Sequence, residues 1–588
     1  MFISESNLAA ITGTSLATVQ AWRRKGVYPA HVNPAGINGF EMEELLEIDE
    51  IRAMVNNNWE EERDVQPLRP YTSVELFAGG GGLALGMSLA GFHHVLLNEF
   101  DKSACNTLRV NRPDWNVIEG DVRNVDFTPL RGRVDFLSGG FPCQAFSYAG
   151  KQGGFNDTRG TLFFELCRAV QEIQPKVFMG ENVKGLTSHD DGRTFETIQN
   201  TIAELGYTLV PPRVLKAIMY QVPQKRERLI LVAIRNDIAE HVQFNWPSPY
   251  ERVLTLRDAL YRSVIFDRDV PASEGVAYPE RKRQVLAMVP EGGDWRDLPE
   301  EVAREYMGGS WLLGGGKTGM ARRLSLDEPS LTLTCSPAQK QTERCHPLET
   351  RPLTVREYAR IQTFPDNWLF QGTMSDKYKQ IGNAVPVNLA WAVGRSLIRL
   401  FNQIEQIMPG QAADCRAAVN EIKMNYLRRR DEATGQLNLF DTMQLFPDYI
   451  LDNTAYIRQE EAAYNENGLL NGNMNVLSCY VKPDNEEHFK DGTATLYYTG
   501  KTFPTSIDLT KLHYFMPYIK GEGVRDLYLI QRVRVGTRKE GQPDEDKNDY
   551  RVVFELEHLD TLFEEPKIVN LDILRTYNSS TLREIQNL

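Results

Sequence analysis

Residues 72–77 form an apolar strand that runs directly into Ala78-Gly79-Gly80-Gly81-Gly82-Leu83-Ala84-Leu85-Gly86. A strand that breaks on consecutive glycines and restarts as a helix is the first βα unit of an open α/β sheet. Glycine carries no Cβ, so its backbone can approach a ligand closely. The turn satisfies G-x-G-x-x-A, and Glu99 follows at the end of the next strand, 95–98. Such an acid can accept hydrogen bonds from ribose hydroxyls. The pattern indicates an adenosine-containing cofactor and leaves its identity open, with NAD as eligible as any other. A purely structural glycine turn is the bland alternative. Asp121, after a third strand near Val117-Ile118, could accept from an adenine amino group or simply cap a turn.

From 71 to about 240, short apolar strands alternate with helical segments, the pattern of a doubly wound sheet. One strand, 133–138, is broken by Gly139-Gly140-Phe141-Pro142 and delivers Cys143 to a loop at its carboxyl end, where such sheets hold ligands. A thiolate there is a candidate nucleophile, although a free cysteine is more often a small buried apolar residue. The loop continues polar and glycine-rich to Phe155, and Gly160–Ile173 reads as a helix with Leu162 at its start. Glu181 ends the strand 177–179 on the same sheet edge as Cys143; an N-cap acid is the alternative. Arg226 and Arg228 alternate in Gln221–Arg228 and point to one side of an extended segment, where they could hold an anion.

The flanking regions differ in pattern. Residues 1–65 read as a small helical module. Ser4 and Ser15 are placed to cap two helices separated by Gly13, with Leu16, Val19 and Trp22 on one face and Arg23, Arg24 and Lys25 at the end. That arrangement fits a helix-turn-helix, or a hairpin used only for packing. A further helix is expected over 43–55. Between 246 and 348 the alternation fails, and 308–323 is glycine-rich and basic. Beyond 410, strand-like runs at 493–498, 526–535 and 550–556 suggest a β-rich accessory domain whose role is open between nucleic-acid and partner binding. The net charge of −13 does not point to nucleic acid, but a duplex binder needs only a local basic surface. Seven scattered cysteines argue for reduced thiols in a cytoplasm. No signal-peptide pattern or membrane-length apolar run is evident, and Cys335 with Cys345-His346 fits no common zinc spacing, so no metal and no membrane are expected.

Taken together, Glu75–Gly82, Gly140-Phe141-Pro142-Cys143-Gln144, Arg159–Phe164, Glu181-Asn182-Val183, Gln224–Arg228, Leu353–Glu357, Arg360–Asp366 and Gln380–Pro386 resemble, in order, the cytosine-5 DNA methyltransferases. Ala145 stands where many members carry proline. The resemblance implies an α/β, doubly wound S-adenosylmethionine-dependent methyltransferase sheet over 71–245 and 349–405, with the target-recognition region inserted at 246–348. It assigns Cys143, Glu181, Arg226 and Arg228 to catalysis. It assigns Phe77, Gly79, Gly81, Glu99, Asp121, Leu162, Asn383 and Val385 to the cofactor, and a late helix over 380–400 to completing that pocket. It further implies double-stranded DNA as substrate, a flipped cytosine, a restriction endonuclease as functional partner, and an enzyme monomeric during catalysis. Operator DNA is the expected partner of residues 1–65. An RNA cytosine methyltransferase on the same scaffold is the competing reading.

Overall fold

The computed structural model describes residues 1–141, 162–312, 319–410 and 415–422, with Ala35 excepted, and strands between 451 and 581. The N-terminal module begins with β1 (Phe2–Ser4), α1 (Glu5–Thr12) and α2 (Leu16–Lys25). Ser4 Oγ accepts from the Asn7 N–H at 3.2 Å and Ser15 Oγ from the Thr18 N–H at 3.0 Å, so both helices are capped as their sequence requires. Gly13 closes α1 at φ 76°. Leu16, expected on the buried face, is 44% exposed at the helix start; Val19 carries the packing instead. A hairpin of β2 (His31–Val32) and β3 (Asn38–Glu41) joins β1 in a three-stranded antiparallel sheet. The helix expected over 43–55 is shorter, because Leu45 turns into the module's core before α3 (Asp49–Val55) begins.

This module is built into the body of the protein. Its core of Ile3, Leu8, Ile11 and Val19 also contains Ile218. Lys225 Nζ donates to Ser6 Oγ at 2.8 Å, and Lys216 Nζ donates to the Ile11 carbonyl. In α4 (Trp59–Arg63), Trp59 packs edge-on against Tyr250 and Trp391, and the Arg395 guanidinium lies over both the Trp59 and Trp391 rings, 4.5 and 3.8 Å from their centroids. Buried Glu62 binds Arg399 at 2.8 Å. A cut at residue 65 would therefore strip packing from the large domain.

The central sheet starts with β4 (Tyr71–Leu76), α5 (Gly82–Ala90), β5 (Phe92–Glu99), α6 (Lys102–Asn111) and β6 (Val117–Glu119). The chain then crosses to the other side of β4 and adds β7 (Phe136–Gly140), α7 (Leu162–Ile173) and β8 (Val177–Asn182). After α8 (Arg193–Glu204) come β9 (Tyr207–Leu209), β10 (Arg213–Lys216), β11 (Gln224–Lys225), β12 (Glu227–Arg235) and α9 (Asn236–Ala239). The order is β10-β12-β8-β7-β4-β5-β6, with β9 paired to β12. β4 to β8 pair in parallel, and β12 runs antiparallel to β8, so the sheet is mixed. Its side chains alternate between two cores. Ile230, Val232 and Ile234 face one, with α5 and the late helices; Leu229, Leu231 and Ala233 face the other, with α7 and α8.

The inserted region carries α10 (Leu256–Leu260), α11 (Glu280–Ala287), α12 (Glu300–Met307) and β13 (Ser330–Leu331); α11 and α12 enclose a small core that includes Tyr278, Leu286 and Ala303, while α10 and β13 pack with Tyr358 and Ile381 of the late helices. β13 pairs with β11 and so ties the insert to the arginine segment. α13 (Val355–Ile361), α14 (Met374–Asn383) and α15 (Val387–Ile407) return to the sheet. The single late helix expected over 380–400 is two helices, because Pro386 lacks an N–H and starts α15 afresh. α15 packs tightly on α5: a Cβ on Gly86 would lie 2.4 Å from Ala390 Cβ. α16 (Cys415–Glu421) adds Ala418 to the core of the same unit.

Residues from 429 onward form a separate compact unit. Among its described residues are β14 (Leu451–Asp452), β15 (Asn475–Tyr480), β16 (Leu496–Tyr498), β17 (Leu512–Tyr518), β18 (Asp526–Thr537), β19 (Tyr550–Thr561) and β20 (Tyr577–Thr581), joined in one sheet.

Candidate active site

The strand order reverses between β4 and β7, and a crevice opens at the carboxyl ends of the two strands. A cavity of about 730 Å³ lies there. Its walls come from the glycine turn, the ends of β5, β7 and β8, the arginine segment, residues 332–335, and the break between α14 and α15.

The glycine turn is shaped by backbone conformations that few side chains tolerate. Phe77 and Gly79 have φ of 58° and 54°. A Cβ on Gly82 would lie 2.3 Å from the Val385 carbonyl, so the α14–α15 break sits directly on the start of α5. Glu99 is held by three backbone donors: Gly79 N–H to Oε2 at 2.7 Å, and Phe100 and Asp101 N–H to Oε1 at 2.9 and 2.7 Å. One carboxylate thus fixes both the glycine turn and the end of β5.

Of the residues expected at the cofactor, Phe77, Gly79, Glu99, Asn383 and Val385 line this cavity. Gly81 does not: it starts α5, and a Cβ there would meet Leu108 and Trp368. Asp121 caps a short helical turn and pairs with Arg123. Leu162 begins α7 and packs at the edge of the second core. Glu181, Arg226 and Arg228 all line the cavity, whereas Cys143 lies outside the described residues.

The charged wall is buried. Arg228 Nε meets Glu181 Oε1 at 2.6 Å, and both residues are below a tenth exposed. Burial pushes the Glu181 carboxyl above its ordinary value, against the pull of Arg228 and then Arg226. Arg226 donates to backbone through its two terminal nitrogens: Nη2 to the Gly382 carbonyl at 3.0 Å and Nη1 to the Leu333 carbonyl at 3.3 Å. It therefore braces the α14–α15 break against the wall that carries Glu181. Burial lowers its pKa, with Arg228 adding to the effect, but an arginine keeps its charge at neutral pH.

Sequence reasoning missed several lining residues. Asp101 and Lys379 pair at 3.0 Å on the cavity wall, and Thr332–Cys335 arrive from the insert. Glu75 is 1% exposed; Ser138 Oγ donates to its Oε2 at 3.4 Å, while Oε1 has no hydrogen-bond partner. A carboxyl inside an otherwise apolar strand was the available signal. Among the described residues no group of His, Cys, Asp and Glu could hold a metal ion, and no helix is long and apolar enough to cross a membrane. His346 Nδ1 accepts from the Leu348 and Glu349 N–H groups.

Residues 71–399 match the family model described as C-5 cytosine-specific DNA methylase. The chain belongs to that family. Among known relatives, it is 61% identical over 404 residues to the Type II methyltransferase M.Eco47II of Escherichia coli, covering 68% of this chain and 97% of the relative. It is 57% identical over 400 residues to M.PspPI of Psychrobacter sp. (strain TA137), covering 68% and 96%. It is 50% identical over 346 residues to M.Sau96I of Staphylococcus aureus, covering 58% and 78%. The protein is a DNA cytosine-5-methyltransferase, and its methyl donor is S-adenosylmethionine. The cavity fits that donor. It has a glycine cradle that a Cβ would fill, an acid fixed at the end of β5, and a buried carboxyl oxygen without a partner.

Because burial raises the Glu75 carboxyl well above its ordinary value, its share of folding stability is greatest below the unfolded-state value. That share is lost as pH rises through the folded-state value. Glu75→Gln, which stays neutral, should therefore gain thermal stability relative to the parent between pH 5 and pH 8 without added cofactor. A melting difference that is flat across this range would contradict the assignment.

Proposed function

We propose that the protein methylates C5 of a cytosine flipped out of a specific duplex sequence, through a covalent bond from Cys143 to C6, and protects DNA from a cognate restriction endonuclease. One observation carries this reading. A single cavity is lined both by the glycine turn with Glu99, Asn383 and Val385 and by Glu181, Arg226 and Arg228. The relatives' designation as Type II methyltransferases supports the protective role. We take the enzyme to act in the cytoplasm and as a monomer during catalysis.

Phe77 would stack on the adenine and Glu99 would hold the ribose, with Gly79, Asn383 and Val385 along the remaining walls. Gly81 supports this wall through the start of α5, and Asp121 and Leu162 are proposed to complete the pocket from β6 and α7. The cofactor supplies an electrophilic methyl group on sulfur. Cytosine C5 is a poor nucleophile until the ring loses its aromaticity. Addition of the Cys143 thiolate at C6 gives C5 enamine character. Glu181, with its raised carboxyl, shares a proton with N3 as charge develops there. Arg228 holds that carboxyl in place, and Arg226 supports the wall. After methylation, loss of the C5 proton expels the cysteine and restores the ring. Because the base is inaccessible inside a duplex, it is flipped out. The insert is proposed to read the flanking bases from the groove.

A second role is proposed for residues 1–65. Two capped helices leave Thr18, Arg24 and Lys25 exposed on α2, a surface suited to operator DNA and repression of transcription. Because the module shares a core with the large domain, substitutions test this role better than truncation.

The purified protein should transfer labelled methyl groups from S-adenosylmethionine to unmethylated duplex DNA and leave tRNA unlabelled. Cys143→Ala should abolish the transfer; persistence in that variant would overturn the covalent mechanism. Arg24→Ala combined with Lys25→Ala should weaken binding to DNA from its own promoter by about tenfold at moderate salt and leave methyl transfer unchanged. Unaltered promoter affinity would remove the regulatory role.

A further inference from the structure

The parallel ladder between β7 and β8 ends on the pair Gly140 and Glu181. The next residues in register are Phe141 and Asn182, and they meet through a side chain. Asn182 Nδ2 donates to the Phe141 carbonyl at 2.9 Å, and Asn182 Oδ1 accepts from the Val183 N–H at 2.8 Å. The side-chain amide stands between the strands like an inserted peptide group. It satisfies an acceptor on β7's continuation and a donor on β8's, and it holds the two strand ends apart where both line the cavity. The link is dry: Asn182 is 3% and Phe141 2% exposed. The Phe141 ring packs on Phe163, and a Cβ on Gly180 would lie 3.1 Å from it, so the carbonyl it carries is well fixed.

The chain continues from Phe141 to Pro142, which has no N–H and offers the sheet no backbone donor. The Asn182 bond is therefore an anchor placed just before Pro142-Cys143. Asn182 is also the immediate neighbour of Glu181, whose carboxylate lies so close to Gly140 that a Cβ there would sit 2.9 Å from Oε2.

We infer that Asn182 is a positioning residue: its amide sets the spacing between the acid Glu181 and the strand end that leads to Cys143. This rests on the reading of Cys143 as the nucleophile. Catalysis by a positioned pair falls steeply with small displacements of either group. Removing the anchor therefore slows attack more than it weakens the adenosine end of the cavity, where Glu99 is held by the Gly79, Phe100 and Asp101 N–H groups.

Two variants separate anchoring from general support. Asn182→Ala removes both hydrogen bonds. Asn182→Asp keeps the acceptor for Val183 and loses the donor to Phe141 while ionised; once protonated it can donate again. In single-turnover methyl transfer to unmethylated plasmid DNA, Asn182→Ala should be slower than the parent by roughly 10–100-fold, with S-adenosylmethionine affinity by calorimetry within about twofold. The ratio of Asn182→Asp to Asn182→Ala rates should rise by about tenfold as pH falls from 8 to 5.5. An Asn182→Ala rate close to the parent's, or a ratio flat with pH, would overturn the inference. Loss of cofactor binding in both variants would overturn it too, because Asn182 would then be supporting the fold. Methyl transfer by Cys143→Ala would instead remove the nucleophile reading. A normal Asn182→Ala beside an inactive Cys143→Ala removes the anchor alone.

Discussion

The chain builds β4, β5 and β6 outward in one direction, then crosses back to lay β7 against the other side of β4. That reversal is the constraint on which the site depends. Two strands that leave the sheet to opposite sides cannot close the space between their carboxyl ends, and the glycine turn and the Gly139-Gly140-Phe141 break border the same gap. The glycine turn and residues 382–385 therefore share one cavity with Glu181, Arg226 and Arg228, although about 300 positions separate the first and last of these walls along the chain.

The cavity is held open by polar groups with assigned partners, Glu99 half-buried and Glu181, Arg226 and Arg228 buried. Glu99 takes three backbone N–H groups, and Arg226 takes carbonyls from residues 333 and 382. Arg228 is committed to Glu181. The Arg226 bonds reach segments far downstream, so that wall is complete only when the insert and the late helices are both docked. In so dry a place the Glu181–Arg228 pair balances desolvation against charge, and burial tips the carboxyl upward. A carboxyl poised in this way can share a proton with a heterocycle nitrogen.

Much of this was legible in the sequence because it is local. Ser4, Ser15 and Gly13 announce the ends of α1 and α2, and the glycine run announces β4 and α5. The unbroken apolar run Leu229–Ile234 announces a strand buried on both faces. What escaped depends on partners brought by the fold. Nothing near Thr332–Cys335 marks it as a wall of the site; β13 delivers it by pairing with β11. Asn182 reads as part of a short motif, and its bond to Phe141 appears only once β7 and β8 are in register. At Gly81 and Asp121 the fold adds a helix start and an ion pair with Arg123, contacts that their spacing alone does not announce. The boundary read at residue 65 missed that Trp59 belongs to the large core, because its partners Tyr250 and Trp391 lie far downstream.

The chemistry assigned to this cavity comes down to one bond between sulfur and carbon. DNA carrying 5-fluorocytosine in place of cytosine arrests the reaction after methylation, because the fluorine at C5 cannot leave as a cation. Incubating the protein with such DNA and S-adenosylmethionine, then digesting and mapping the linked peptide, should place the nucleotide on Cys143. An adduct on a different side chain, or none from a preparation that turns over ordinary DNA, would contradict the account.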